Sequence, residues 1–370
     1  MSRQILEVRP LETTPTRAAA LFDIGGGESR TIEIESNVPL RNSATGWLAA
    51  ALPVAMKRNC DIHVHGPVDR MAFNNFEVIQ SIFSRWFKFP KVRLTASSMV
   101  FDLENQEESP VSRFGTFFSG GVDSFYTALE NPEANSLILV HGFDIPTSDD
   151  QLWQETVRSS SKVASGLGRE LVEVTTNVRD LAEWNSLDWG LHYHGAAIAF
   201  VAHMISGLHT VAIAGSYQKS MRHPWGTHPG LDPLWSSSGL RFLHDGSDAS
   251  RPQKVARIAP NDIAMSTLRI CYENPDGEYN CGKCDKCVRT TVNLAAVGAL
   301  GRCTTLPSSL DYERISRSSL GRGGRIFARE NLVEMVRTGN FDRKLASALG
   351  QALVHSYTNA ITQRVPLARR

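Results

Sequence analysis

The feature that most constrains this chain is a regular alternation of apolar strands and helices between residues 114 and 217. The segments FGTFFS, SLILVHGF, ELVEVTTN and TVAIAGSY have the composition of strands, and stretches with helical spacing separate them. A continuous apolar run such as SLILVHGF is typical of a strand that is covered on both faces. Strand and helix alternating at this spacing imply parallel pairing, because parallel neighbours need a long crossover connection. The pattern predicts an α/β fold with a doubly wound parallel sheet.

The first hundred residues follow a different pattern, in which short alternating strands predominate. RTIEIES and CDIHVHG alternate apolar and polar residues, as half-buried strands do, and FEVIQSIFSRWF has the spacing of a helix. His63 and His65 point to the same face of their predicted strand. A solvent-facing strand is the preferred interpretation of this pair, and a pair of metal ligands is the alternative.

The charge balance limits the classes of partner. The chain has 39 basic and 38 acidic residues, for a net charge of +1, so nucleic acid is not expected as a partner. The N-terminus lacks the apolar core of a signal peptide, and the longest apolar stretch, 195–207, is too short to span a bilayer. We therefore expect a cytoplasmic protein that does not contact a membrane.

Cysteine spacing predicts a metal site. The chain has six cysteines, and in a cytosolic protein a tight cluster of them favours metal binding over disulfides. The cluster has the spacing C-x9-C-x2-C-x2-C and consists of Cys271, Cys281, Cys284 and Cys287. Four thiolates suit a tetrahedral Zn²⁺ with no open position, hence a structural role. An iron–sulfur cluster and free thiols are the alternatives, and the separate Cys60 and Cys303 are expected to be buried.

A polar, glycine-rich turn lies between the strand FGTFFS and the helix that follows it. Its residues are Ser119, Gly120, Gly121, Val122, Asp123 and Ser124. The glycines permit positive φ and close approach of the backbone to an anion, and successive N–H groups at a helix N-terminus attract that anion. Ser119 and Ser124 add hydroxyl donors, and Asp123 can cap the helix or hold Mg²⁺. A turn that merely caps a helix is the alternative.

No lysine follows the glycines, so the turn lacks the G-x-x-x-x-G-K-[ST] pattern. SGGVDS instead resembles the PP-loop of the N-type ATP pyrophosphatases, which include asparagine synthetase, GMP synthetase, NAD synthetase and tRNA thiolation enzymes. In that family a substrate oxygen attacks the α-phosphate of ATP, pyrophosphate leaves, and a nucleophile, often ammonia, then displaces AMP. The resemblance implies ATP and Mg²⁺ as cofactors and a sheet of the adenine nucleotide α-hydrolase type.

The same resemblance implies further ATP-binding residues. Besides the turn itself, they are Val140, Gly142 and Phe143, where the backbone after the second strand would contact the adenine, Gly215 at the end of the fourth strand, and Lys219 in the loop beyond it. Lys219 and Arg222 would neutralise phosphate charge, or they are solvated charges of a loop.

The turn together with the cysteine spacing resembles 7-cyano-7-deazaguanine synthases over residues 114–295. RPQKVARIAPNDIAMSTLRICY carries a lysine, a short helix and the first cysteine in the family's order. The resemblance implies that Lys254 approaches the phosphates and that Asp123, Ser124 and Lys254 are the catalytic residues. The first hundred residues, the loop 218–239 and the C-terminal helices depart from that family. The resemblance therefore implies the chemistry and leaves the substrate open.

These patterns predict three regions: a β-rich N-terminal domain at 1–110, a PP-loop ATP pyrophosphatase domain with its zinc loop at 111–305, and a helical extension at 306–370. The expected activity is an AMP- and diphosphate-forming synthase that adenylates a carboxylate or carbonyl oxygen of a small molecule for amidation or ligation. Thiolation of RNA or of a small molecule, adenylation by a muramyl-peptide epimerase, and a non-enzymatic zinc module are the alternatives. Related enzymes commonly form homodimers, and the sequence leaves the oligomeric state of this chain open.

Overall fold

The computed structural model describes residues 3–11, 13–101, 111–219 and 223–362. Its strands are β1 (Ile5–Pro10), β2 (Arg17–Gly25), β3 (Glu28–Ser36), β4 (Asp61–Asp69), β5 (Leu94–Val100), β6 (Arg113–Phe117), β7 (Ser136–His141), β8 (Glu170–Thr176), β9 (Leu208–Ala214) and β10 (Arg241–Asp245). Its α-helices are α1 (Ala44–Arg58), α2 (Arg70–Phe87), α3 (Val122–Glu130), α4 (Asp150–Leu167), α5 (Asp180–Trp184), α6 (His194–Met204), α7 (Arg251–Ile258), α8 (Asp262–Thr267), α9 (Asp285–Ala296), α10 (Tyr312–Ser316), α11 (Arg322–Thr338) and α12 (Arg343–Thr362).

Within the described residues the strands form one sheet in the order β10-β9-β6-β7-β8-β3-β2-β1-β4-β5. Neighbours pair in parallel from β10 to β8 and from β1 to β5, and the pairs β8–β3, β3–β2 and β2–β1 are antiparallel. The prediction of an α/β fold with a mostly parallel sheet is confirmed. The specific adenine nucleotide α-hydrolase type stays a prediction.

Strands of the first hundred residues continue this sheet. The junction is the antiparallel pair β3–β8, in which Ile34 lies opposite Thr176. Two compact units result, which we call the sheet unit (Met1–Ser119 and Thr127–Ser247) and the helical unit (Gly120–Tyr126 and Asp248–Arg370). They divide the chain differently from the expected boundaries at 110 and 305. Alternation within a strand indicates which face is buried, and it carries no information about which strand lies alongside.

Helix α1 forms the centre of the sheet unit's core, and the sequence pattern did not locate it. Every side chain from Ala44 to Met56 is buried, Pro53 included. Ser43 begins the helix by accepting a hydrogen bond from Gly46 N at 3.2 Å, and a Cβ at Gly46 would lie 3.2 Å from His203 Cβ in α6. The small residue therefore lets the two helices pack closely. A helix that is apolar all round has no amphipathic period to reveal it.

The two parts of the polar turn are held by different units. Ser119 follows β6 in the sheet unit, and Gly120 to Tyr126 belong to the helical unit. In the sheet unit, Thr127 in the second half of α3 donates to Asp245 Oδ2 at 2.7 Å, at the end of β10. The carboxyl ends of β6, β7, β9 and β10 lie on one edge of the sheet, because these strands are parallel.

We predict that Gly142→Ala destabilises the protein far more than Gly168→Ala. Both glycines have positive φ, +98° and +67°, but a Cβ at Gly142 would lie 1.8 Å from Thr176 O, whereas Gly168 has open space around it. Strain and displaced backbone should lower the free energy of unfolding of Gly142→Ala by about 3 kcal/mol or more. At Gly168 only the cost of placing alanine in the left-handed region applies, so the free energy of unfolding of Gly168→Ala should fall by about 1 kcal/mol. Urea unfolding followed by tryptophan fluorescence measures both, and equal losses would contradict the close approach at Gly142.

Candidate functional site

The four clustered cysteines meet in the helical unit. Cys271 Sγ lies 3.5 Å from Cys281 Sγ and 3.8 Å from Cys284 Sγ, and Cys281 Sγ lies 4.0 Å from Cys287 Sγ. All four are buried, and none is in a disulfide. A tetrahedral Zn²⁺ with Zn–S distances of about 2.3 Å separates its sulfurs by about 3.8 Å. The donor set and its spacing fit such an ion, so the cluster could hold a metal such as zinc.

Backbone N–H groups lie close to two of the four sulfurs. N–H groups point at the sulfurs: Asn274 N lies 3.2 Å from Cys271 Sγ, and Cys284 N lies 3.2 Å from Cys281 Sγ. Burial raises the pKa of Cys271, but the hydrogen bonds from Cys281 and Asn274 outweigh it and lower that pKa to about 7. Burial raises the pKa of Cys284 and of Cys287, so without an ion the protein favours the thiolate at Cys271 and the thiol at those two positions. Gly282, between two of the ligands, has φ +67°, and a Cβ there would lie 2.8 Å from Pro307 Cγ. The tight turn between the second and third cysteines therefore depends on glycine.

The remaining two cysteines are buried thiols, as expected. Cys60 is fully buried, and this burial raises its pKa to about 11. Cys303 is 4 % exposed. A thiol becomes a good nucleophile through exposure and a depressed pKa. Cys60 is instead inaccessible and hard to deprotonate, so it is a poor nucleophile.

One position of the turn SGGVDS, Gly120, has a backbone conformation that favours glycine. Its φ is +77°, and a Cβ there would lie 3.2 Å from Arg269 Cβ. Gly120 O accepts a hydrogen bond from Arg269 N at 2.8 Å, and Ser124 Oγ donates to Gly121 O at 3.0 Å. Gly120 is thus required both by its conformation and by the segment that packs on it.

Asp123 is the centre of a charged cluster within the helical unit. Lys254 Nζ donates to Asp123 Oδ1 at 3.0 Å, and Arg251 Nη1 contacts Oδ2. The Lys254 side chain is only 3 % exposed and lies 5.6 Å from the ring of Tyr126, whereas Asp123 is 20 % exposed. Burial disfavours the charge of Asp123, but Arg251 and Lys254 outweigh this effect and hold the pKa of Asp123 below its usual value. The turn therefore carries two cations beside a charged carboxylate.

Two arginines near the turn, Arg251 and Arg269, have no local signal in the sequence. Arg251 stands in the first turn of α7, next to the cap residue Ser250, and a basic residue in a first turn carries no special signal. Arg269 is buried, and among the described residues no acceptor lies within hydrogen-bonding distance of its Nε. Its backbone hydrogen bond to Gly120 places this donor near the turn. Such pairing over a long sequence separation leaves no periodic trace.

In the sheet unit, the residues predicted to contact adenine already have protein partners. Gly142 N donates to Ile145 O at 2.8 Å, and Phe143 O accepts from Arg179 Nη1 at 2.7 Å. Val140 is 9 % exposed within its strand. An adenine at this edge would have to use the second lone pair of the Phe143 carbonyl or other groups of the loop. The adenine contact stays a prediction.

A buried hydrogen-bonded chain supports Gly215 at the same edge of the sheet. His244 Nδ1 lies 2.6 Å from Asp232 Oδ2, and His244 Nε2 lies 2.6 Å from Ser247 Oγ. Gly215 packs on this ring, since a Cβ there would lie 2.6 Å from His244 Nε2. Ser247 O accepts from Lys219 N at 2.9 Å, so the chain fixes the start of the loop after β9.

The order Ser–His–Asp has the distances of a proton relay. Asp232 is fully buried and Ser247 is 5 % exposed, so a substrate has little access to the serine hydroxyl. We therefore assign these three residues the role of positioning the loop. These residues have no local signal in the sequence, because they come from a long irregular loop and a strand end. The Lys219 side chain is exposed, and Arg222 lies outside the described residues.

Two cavities occur elsewhere in the described residues. One of about 370 Å³ lies in the helical unit and is lined by Ala295 and Tyr312 among others; one of about 610 Å³ lies in the sheet unit beside Met71 and Arg241. No residue of the turn SGGVDS lines either of them. None of the described helices combines the length and the apolar character that a membrane span needs.

Comparison with protein-family models, with curated proteins and with solved structures found no match to this chain. The roles expected for the turn, for Lys254 and for the edge of the sheet therefore stay predictions that are based on the residues and their geometry.

We predict that Asp123→Asn destabilises the protein at neutral pH by about 3 kcal/mol, because it removes the carboxylate that neutralises the buried Lys254. The folded pKa of Asp123 is below its ordinary value of 3.8, so its contribution is complete above that pH and is lost as the pH falls through the lowered value. The difference in unfolding free energy between wild type and variant should therefore shrink below pH 3.8. Urea titrations across this range measure it.

Asp262→Asn is the matched control, because Asp262 pairs with Arg302 but is 90 % exposed. This variant should stay within about 0.5 kcal/mol of wild type at every pH. An Asp123→Asn deficit that persists unchanged to about pH 2 would argue against the charge as its cause.

We predict about one tightly held zinc per chain after exhaustive dialysis against metal-free buffer, from the four-thiolate geometry. Cys284→Ser should lose this zinc and Cys303→Ser should keep it, as elemental analysis would show. Iron with a visible absorbance band would instead support the iron–sulfur alternative.

Proposed function

We propose that this protein is an ATP-dependent, AMP- and pyrophosphate-forming enzyme that adenylates a carboxylate or carbonyl oxygen of a small molecule. The turn after β6 would bind the phosphates, and ammonia or another nucleophile would complete an amidation or ligation. The resemblance to the N-type ATP pyrophosphatases suggests this chemistry. A contact within the helical unit is consistent with it.

The observation that carries the proposal is the contact between Lys254 and Asp123. The two residues are 131 positions apart in sequence, and the structure places their side chains 3.0 Å apart. They are also two of the residues to which the resemblance gives a role. A lysine that is 3 % exposed beside a helix N-terminus forms a fixed positive charge, which suits a polyphosphate.

Each residue of the cluster then has a distinct role. Lys254 and Arg251 would shift from the Asp123 carboxylate to phosphate oxygens and neutralise the charge that develops as pyrophosphate departs. Arg269 Nε would supply a further donor, since no described residue accepts from it. Asp123, relieved of its two cations, would be available to hold Mg²⁺, which would supply charge neutralisation to the phosphates. Gly120 keeps the backbone close enough for its neighbours' N–H groups to take part.

The cysteine cluster would have a structural role in this enzyme. A site with four protein thiolates has no open position for a substrate, so a zinc ion there would hold the segment 271–287 together. That segment directly follows Arg269, whose main chain packs on Gly120. The metal would thus stabilise the segment around Arg269 that packs on Gly120 of the turn.

Thiolation is disfavoured by the state of the two remaining cysteines. A sulfur carrier must be accessible and readily deprotonated, whereas Cys60 is buried with its pKa raised to about 11 and Cys303 is 4 % exposed. The near-neutral charge also provides little attraction for tRNA. Adenylation for amidation or ligation is therefore the function that the geometry supports best.

The test is pyrophosphate release from Mg-ATP, screened against carboxylate and carbonyl metabolites with ammonia present. We predict release with at least one substrate class, and a loss of at least about 100-fold in Asp123→Ala and in Lys254→Gln, because each removes charge at the departing pyrophosphate. Asp262→Asn serves as the control and should retain full activity. Circular dichroism and zinc content establish that each inactive variant is folded.

Several outcomes would contradict this proposal. Unchanged turnover in folded Asp123→Ala and Lys254→Gln would reject the site. Release only with tRNA and a sulfur donor, lost in Cys303→Ser, would establish thiolation instead. An absence of binding at millimolar Mg-ATP would leave a zinc-containing scaffold without this activity.

A further inference from the structure

A second group of potential metal ligands lies in the sheet unit, apart from the cysteine cluster. Glu7 on β1 is the direct parallel partner of His63 on β4, and His63 is in turn the partner of Thr95 on β5. His65 is two positions further along β4, so it lies on the same face as His63. The opposite face of these strands carries Leu6, Val8, Ile62 and Val64, which are fully buried. The register therefore presents two imidazoles and a carboxylate together on the accessible face.

The three side chains are close enough to share one ion. One ligand atom from each of Glu7, His63 and His65 lies within 4.8 Å of the other two. His65 Nε2 is 2.7 Å from Glu7 Oε2, and the two imidazole rings are 4.7 Å apart and nearly perpendicular. A tetrahedral ion with N and O ligands at about 2.0–2.1 Å separates its donor atoms by about 3.4 Å. Small rotations of these half-buried side chains would bring the atoms to that spacing.

Thr95 orients the first histidine as a ligand. Thr95 Oγ1 donates its proton to Ile62 O at 2.7 Å, and His63 Nδ1 lies 3.0 Å from the same oxygen. Since the hydroxyl proton is already committed, the oxygen can only accept, and Nδ1 must carry the proton. Nε2 of the neutral imidazole then has a lone pair available. Metal-binding histidines usually have this second hydrogen bond, which fixes the tautomer and the ring orientation.

Arg9 competes with a metal ion for the Glu7 carboxylate, but it has a second carboxylate within reach. Arg9 Nη2 lies 3.7 Å from Glu7 Oε2, but Arg9 Nη1 also reaches Asp23 Oδ2 at 3.4 Å. Asp23 is the partner of Glu7 on β2, so the arginine has an alternative carboxylate when Glu7 turns to an ion. The Arg9 and Glu7 side chains are 45 % and 26 % exposed, so this ion pair is weak.

We propose that Glu7, His63 and His65 form a binding site for a divalent transition-metal ion of the zinc type. Two imidazoles and one carboxylate favour Zn²⁺, Co²⁺, Ni²⁺ or Cu²⁺ over Mg²⁺ and Ca²⁺, which prefer all-oxygen ligands. Three protein ligands leave at least one position for water or an exogenous ligand, in contrast to the closed cysteine site. The ion at this site would therefore be accessible to a further ligand.

The experiment is a titration of the full chain, with its cysteine site already loaded, with Zn²⁺ against a chromophoric chelator. The wild type should bind about one further ion per chain, from the three-ligand geometry. The double variant His63→Gln/His65→Gln should lose this ion while keeping the tightly held one. His209→Gln is the matched control, because His209 is another exposed strand histidine whose Nδ1 lies 3.0 Å from a threonine hydroxyl, that of Thr210. That variant should bind like the wild type.

Three further variants separate a specific site from chance binding by surface histidines. Thr95→Val should weaken binding by about tenfold, because it removes the group that orients His63, and Thr95→Ser should restore it. Arg9→Gln should strengthen binding several-fold by removing the competing cation. Binding that is unaffected by the double histidine variant, or equally weakened by His209→Gln, would overturn the proposal. So would a site that takes Mg²⁺ as readily as Zn²⁺.

Discussion

The near-complete burial of the Lys254 ammonium is the constraint on which the helical unit depends. A buried ammonium loses several kcal/mol of hydration, so it is compatible with the fold only where an opposite charge and further contacts replace the water. Asp123 supplies that charge at 3.0 Å, and the ring of Tyr126 contributes a weaker attraction. The first turn of α3 and the helix α7 must therefore stay together. Because Asp123 lies in the glycine-rich turn, its pairing with Lys254 and Arg251 also places two positive charges beside that turn.

Buried charge constrains the sheet unit in a similar way. Arg113, at the start of β6, forms two hydrogen bonds with the Glu170 carboxylate at the start of β8, although its own side chain is only 5 % exposed. At the opposite ends of the strands, the fully buried Asp232 is satisfied by His244 and by the N–H of His228. The apolar core provides most of the stability of the sheet. The paired charges determine where its strand ends and loops lie, since an ion pair tolerates less displacement than an apolar contact.

Local patterns in the sequence predicted much of this structure, and contacts between distant segments were beyond them. The strands after residue 113 and the cysteine cluster each depend on residues within one short stretch of the chain. The pairing of β3 with β8 and the contacts of Arg251 and Arg269 depend on segments that are more than a hundred residues apart. A single sequence records the polarity of each residue. It does not record which distant partner satisfies it.

The two candidate metal sites show the same distinction. Three of the cysteines lie within seven residues, so their spacing alone restricts them to one small loop and to one donor type. At the other site, the alternation of His63 and His65 revealed a shared face, but an alternating strand with polar residues is equally the pattern of a solvated surface. The decisive facts are the parallel register that places Glu7 beside His63 and the hydroxyl of Thr95 that fixes its tautomer. Both facts arise from strand pairing, so this site could be distinguished from an ordinary solvent-facing strand only once the order of the strands was known.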